Sequence, residues 1–95
     1  MPPLSFVEIA DLLPEIPEWQ LIDVDGVSRL ERVFLFENFS AALTFTNRIA
    51  EIAEVEDHHP RIVTEWGRVT VQWWTYAIEG LHKNDFIMAA KTSLL

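Results

Sequence analysis

An α+β fold is predicted for this chain: a four-stranded antiparallel sheet with helices packed on one face, in the order α-β-β-α-β-β-α. Three observations predict it. Two stretches rich in β-branched and aromatic residues each break at a turn signal, Asp25-Gly26 in the first and Gly67 in the second. Each stretch is followed by a segment with helical periodicity, so hairpins and helices alternate. One sheet whose apolar face is covered by the helices satisfies that alternation.

The elements follow in order. Ser5, with Glu8 three residues on, carries the capping-box signature of a short helix through Leu13, with Phe6, Ile9, Leu12 and Leu13 as its apolar stripe and Pro14 and Pro17 ending it. The run WQLIDVDGVSRLERVFLF, from Trp19 to Phe36, reads as two strands around Asp25-Gly26, a dipeptide suited to the positive φ angles of a tight hairpin. Asn38 or Ser40 then opens an amphipathic helix to about Glu56, in which Ala42, Phe45, Ile49 and Ile52 recur at three- and four-residue steps. Pro60 cannot continue that helix and steers His59 away from helical angles, so His58 and His59 fall at the helix exit. RIVTEW and RVTVQWWTY form the second hairpin. In the longer run, alternation places Val69, Val71, Trp73 and Thr75 on one face and Arg68, Thr70, Gln72, Trp74 and Tyr76 on the other. Asn84 is expected to cap a last helix over residues 85–95, with Phe86, Ala89, Ala90 and Ser93 turned to the sheet. Residues 1–95 read as a single domain, and the exposed edges of so small a sheet predict pairing with further copies of the chain.

Composition narrows the function classes. Fifteen acidic residues against 7 basic give a formal charge of -8, which disfavours direct nucleic-acid binding and anionic membranes. The chain has no cysteine, so thiolate chemistry and disulfides are excluded, in keeping with a reducing cytoplasm. The N-terminal MPPLSFVEIADLLPEIP has no basic leader region, and no window is long enough for a membrane span, so a soluble cytoplasmic protein is expected. Three glycines, with no Gly-rich loop or nucleophile elbow, give no support to nucleotide binding or serine catalysis.

The candidate chemistry sits in Glu56-Asp57-His58-His59-Pro60. Two imidazoles beside Glu54, Glu56 and Asp57 suit a reaction that needs both a proton donor and an acceptor near neutrality. The same spacing also suits a purely structural role, with one histidine closing the helix C-terminus and the other exposed. A metal site is disfavoured, because adjacent side chains diverge and the third histidine, His82, stands apart. The four tryptophans are by default core or interface residues. Trp74, beside Tyr76 on the polar face of its strand, is the exception and suits either a slot for a flat heterocycle or cover by a partner subunit.

Taken together, Phe36-x-Asn38-Phe39-x-x-Ala42-Leu43-x-Phe45, Glu54-x-x-x-His58-His59-Pro60, Trp66, Trp74-Thr75, Gly80-Leu81 and Asp85 resemble the pterin-4a-carbinolamine dehydratase family over about Trp19 to Lys91. The resemblance implies helices on one face of a four-stranded sheet, with subunits joined edge to edge as homodimers, often paired into homotetramers. It implies dehydration of 4a-hydroxytetrahydropterin to the quinonoid dihydropterin in tetrahydrobiopterin recycling, with a reduced pterin as substrate and neither metal nor organic cofactor. By the same resemblance, His58 and His59 are the catalytic pair. Glu54, Asp57, Pro60, Trp19, Trp74, Thr75, Tyr76 and Asp85 are expected around the substrate. One position departs: the family usually carries a third histidine where this chain has Tyr76. A phenol, with an ordinary pKa of about 10, is a poor proton shuttle at neutrality. The alternative implied by that departure is a non-catalytic, dehydratase-like module that binds or assembles a protein partner. A compensating role for His82 requires its turn to fold back onto the site.

Overall fold

The computed structural model describes residues 2–95. Helix α1 (Phe6–Leu12) begins with the expected reciprocal cap: Ser5 Oγ accepts from the Glu8 amide, and the Glu8 carboxylate accepts from the Ser5 amide at 2.9 Å. The Ser5 bonds hold the Glu8 carboxyl below its ordinary value. Ile9 is buried, but Phe6 is exposed, so α1 docks by the later part of its stripe. A 3-10 turn at Leu13–Glu15 ends the segment.

Strands β1 (Gln20–Val24) and β2 (Val27–Leu35) form the first hairpin. Asp25 and Gly26 both take positive φ, 53° and 82°, as a two-residue hairpin turn requires. Helix α2 (Phe39–Glu56) is capped by Asn38, whose Oδ1 accepts from the Ala41 amide at 2.8 Å. Strands β3 (Arg61–Glu65) and β4 (Arg68–Trp73) form the second hairpin, and helix α3 (Lys83–Ser93) closes the chain. The sheet order is β1-β2-β4-β3, every pair antiparallel, which leaves β1 and β3 at the edges.

This is the predicted architecture, and the register shows what binds its layers. Leu30 stands opposite Trp73 and Phe34 opposite Val69, so one face of the two central strands is apolar apart from Arg32, which stands opposite Val71 and donates to Ser93 Oγ. On it lie Ala42, Phe45 and Ile49 from α2, at the three- and four-residue steps that put side chains on one side of a helix, and Phe86, Met88 and Ala89 from α3.

Two boundaries differ from expectation, and both shape the site. Strand β4 ends at Trp73 rather than Tyr76, because Thr75 turns to pair with Gly80 (Thr75 N to Gly80 O, 2.9 Å) and Tyr76–Ile78 form a 3-10 turn. Tyr76 therefore lies on a loop, where strand alternation no longer decides its direction. The cap of α3 is His82, not Asn84: His82 Nδ1 accepts from the Asn84 amide, and the Asp85 carboxylate accepts from the His82 amide. With the helix starting earlier, its buried side includes Asp85, Met88 and Thr92, while Ala90 faces out.

The chain start secures the loop after β4. The Leu4 amide donates to Leu81 O at 2.8 Å, and a Cβ added at Gly80 would stand 2.6 Å from Pro3 Cβ. Gly80→Ala is expected to lower stability by about 1–3 kcal/mol through overpacking. In thermal melts the added change Pro3→Gly should restore most of that loss; failure of the double variant to recover would place the strain elsewhere.

Candidate active site

The two adjacent histidines are aimed by the end of α2. Asp57 takes left-handed angles (φ 49°, ψ 45°), and the His58 amide donates back to Ala53 O at 3.1 Å, a closure that turns the chain sharply out of the helix. Pro60 then leads into β3. The pair consequently faces the loop that follows β4, across a cleft of about 440 Å³. Asp57, His58, His59, Pro60 and Arg61 form one wall of that cleft, and Trp74, Thr75, Tyr76 and Ala77 form the other.

His58 is the more tightly held of the two. Its side chain is 19% exposed, and its Nε2 lies 2.5 Å from Asp85 Oδ1. Asp85 is wholly buried and accepts two further bonds, from Thr75 Oγ1 at 2.7 Å and from the His82 amide at 2.9 Å. With its carboxylate already accepting from two fixed donors, Asp85 is the acceptor for His58 Nε2–H. The lone pair of the neutral ring is thereby placed on Nδ1. Trp73 stacks on the imidazole with ring centroids 5.5 Å apart and planes 18° apart, and its own indole is tied to Thr92 Oγ1 at 3.1 Å. The ring is thus fixed both in plane and in tautomer by groups with little freedom of their own.

His59 is more open. Its Nε2 lies 2.5 Å from Glu54 Oε2, five residues back on α2, and both side chains are largely solvent-exposed. Such an exposed pair contributes little to stability but orients the ring. Each imidazole therefore has one nitrogen on a carboxylate and one left for proton exchange, so the arrangement has the parts of an acid–base site. No group of three metal-ligating side chains occurs among the described residues.

The family model described as "Pterin 4 alpha carbinolamine dehydratase" matches residues 2–95. The chain belongs to the pterin-4a-carbinolamine dehydratase family. Two relatives whose names assign them provisionally as pterin-4-alpha-carbinolamine dehydratases come from Chlorobium luteolum and Syntrophotalea carbinolica. The first is 57% identical over 95 residues, covering 100% of this chain and 83% of its own. The second is 60% identical over 88 residues, covering 93% and 79%. Among solved structures, a transcriptional coactivator/pterin dehydratase from Brucella melitensis superposes with a TM-score of 0.86 at 34% identity, over 97% of this chain and 96% of that one. A pterin dehydratase-like protein described as a RuBisCO assembly factor of the alpha-carboxysome shares the fold, with a TM-score of 0.68 at 17% identity over 81% of this chain and 87% of that one.

Of the residues expected around a pterin in this dehydratase family member, Asp57, Pro60, Trp74, Thr75 and Tyr76 line the cleft, and Glu54 adjoins it through His59. Two sit differently. Trp19 is not at the cleft: its ring is buried edge-on against Phe34, and its Nε1 donates to Ser93 Oγ at 2.9 Å, so it is a core residue. Asp85 is at the site but beneath it, with no exposed surface and its Oδ1 on His58 Nε2. Tyr76 is at the cleft and 84% exposed. His82 does not stand in for a third histidine, because its Nδ1 caps α3. Trp73, with Thr92 behind it, belongs to the site's support and was read from the sequence only as a strand residue. The sequence signal for it was its place one residue before Trp74-Thr75, on the alternate face.

Proposed function

We propose that this protein is a 4a-hydroxytetrahydropterin dehydratase, a hydro-lyase of tetrahydrobiopterin recycling. The observation that carries the reading is the chain Thr75–Asp85–His58, a buried and fully bonded carboxylate that fixes a histidine at the cleft wall. Dehydration breaks the C4a–O bond, removes the proton on N5 and forms the N5–C4a double bond, with water leaving. His58 Nδ1 takes the N5 proton. His59, backed by Glu54, delivers a proton to the departing hydroxyl, and the two proton movements close the balance. Asp57 is the cleft's acceptor for the pterin's amino and amide N–H groups, and Trp74 offers an aromatic face to the ring. Tyr76 holds the substrate by a phenolic hydrogen bond where a third imidazole would exchange protons. Copies of the chain associate through the free edges β1 and β3 as dimers or tetramers. The reading places the activity in the cytoplasm.

Restoring the third imidazole tests it. Tyr76→His is expected to raise kcat severalfold to about a hundredfold, the range of one added acid–base group. The check is the dehydration rate of chemically generated 4a-hydroxytetrahydropterin followed by ultraviolet absorbance. A Tyr76→His variant no faster than its parent would remove Tyr76 from the reaction.

A second reading, a protein-binding module without catalysis, draws on one specific feature. Trp66, at the tip of the second hairpin, is 73% exposed, and Leu35, at the end of the neighbouring β2, is 78% exposed; the Phe36 amide donates to Gly67 O at 2.8 Å between the two segments. Dehydratase turnover by the parent protein that is lost with His58 would count against it.

A further inference from the structure

Trp74 stands where the sheet stops holding the chain. The ladder between β2 and β4 ends at the pair Leu30–Trp73, and Thr75 already turns away to bond with Gly80, so Trp74 lies outside both the strand and the turn. Its indole nevertheless forms part of the cleft wall. What fixes the ring is a side chain. One step beyond the last pair of the register, Arg29 reaches over Trp74, with its guanidinium carbon 3.8 Å from the ring centroid.

Arg29 is itself held across the open face of the sheet. Glu31 and Gln72 are opposed in the β2–β4 register; Gln72 Nε2 donates to Glu31 Oε2 at 2.7 Å, and Gln72 Oε1 accepts from Arg29 Nη1 at 2.9 Å. The direction of this row is forced, because a carboxylate only accepts and a guanidinium only donates. Glu31 therefore turns the Gln72 amide so that its oxygen faces Arg29. Gln72 is buried, which shields both bonds from solvent. Arg29 Nε is buried without an acceptor, an unsatisfied donor that stability alone does not explain. Arg29 does not line the cleft, so its route to a bound ligand is the indole it covers. Resting on the dehydratase reading, we infer that Glu31, Gln72 and Arg29 form a positioning row that sets the Trp74 ring for the pterin before it binds. A ring held beforehand loses no freedom when the ligand arrives, and the gain falls on binding rather than on proton transfer.

The test pairs the kinetics of 4a-hydroxytetrahydropterin dehydration by the full chain with equilibrium dialysis of 7,8-dihydropterin, in Arg29→Met, Trp74→Leu and the double variant. Arg29→Met keeps most of the bulk and removes the orphaned Nε but costs Gln72 a partner, opposing changes that retain the fold, as a thermal melt checks. It should raise KM and the dihydropterin dissociation constant about three- to tenfold, the worth of ordering one side chain, with kcat within about twofold of the parent. In the Trp74→Leu background the same change should have no further effect on either constant. Arg29→Lys returns a cation to the indole without the planar face, and its KM should fall between those of the parent and Arg29→Met. A parent-like KM in either Arg29 variant, a loss confined to kcat, or an undiminished effect in the Trp74→Leu background would overturn the positioning row while leaving the dehydratase reading intact. A parent protein that neither dehydrates the substrate nor binds dihydropterin would overturn both.

Discussion

Replacing His58 with alanine is expected to remove most of the dehydratase activity, a fall of about a hundred- to ten-thousandfold in kcat, the usual contribution of a positioned acid–base group. Unlike His59, His58 cannot be replaced by solvent-borne buffer with ease, because its ring is largely covered and locked between Trp73 and Asp85. The corresponding loss for His59→Ala should be smaller, since its exposed ring is oriented by a single exposed carboxylate. Steady-state assays of the two variants side by side check the order. A His59 variant more impaired than the His58 variant would reverse the assigned importance of the two rings.

Asp85 is expected to give the largest effect on stability. Its removal leaves three donors without their acceptor in a place water does not reach: the His82 amide, the Thr75 hydroxyl and the His58 ring. Asp85→Ala should therefore cost about 3 kcal/mol or more, enough to lower the melting temperature by roughly ten degrees or more in a domain of this size. The loss also unties the cap of α3 and the loop carrying Thr75 and Tyr76, so the helix end and the cleft should loosen together. Asp85→Asn separates position from charge. An amide keeps the shape, but it presents a donor toward His58 Nε2 and no longer enforces the proton on that nitrogen. Its expected signature is a drop in kcat of about 10- to 100-fold with KM little changed, the scale seen when a group behind an active residue is altered. A merely structural role would instead move the melting temperature and leave the turnover of the folded fraction alone.

How far this site could be read from the sequence depends on which contacts are local. The helix exit near Asp57 and the entry into β3 at Pro60 are set within a few residues, and the sequence pattern predicts them; the bond between Glu54 and His59 is also local, but the sequence placed the acid near the pair without assigning it to His59. The bond between His58 and Asp85 spans 27 residues, and nothing in periodicity reveals it; family resemblance brought Asp85 to notice but not its burial beneath the imidazole. Trp19 shows the converse. The family resemblance set it among the substrate residues, yet its indole fills the core under α3 and bonds to Ser93, a partner no local pattern indicates. The hairpin turns were legible because Asp25, Gly26 and Gly67 carry positive φ, a local demand with a local sequence signature. The end of β4 was not. Its β-rich composition runs on through Tyr76, while the isolated Thr75–Gly80 pair and the seat of Gly80 against Pro3 pull the chain away from the sheet. His82 as the cap of α3 was missed for a related reason, since a histidine rarely takes that role and Asn84 two residues later fits the common preference.

The most direct measurement is the rate at which 4a-hydroxytetrahydropterin loses water with and without the purified protein, compared with Asp85→Asn and His58→Ala at equal folded concentration. Clear acceleration over the spontaneous reaction is expected from the parent, with a partial loss in Asp85→Asn and near-complete loss in His58→Ala. A parent protein that leaves the spontaneous rate unchanged would contradict the dehydratase reading.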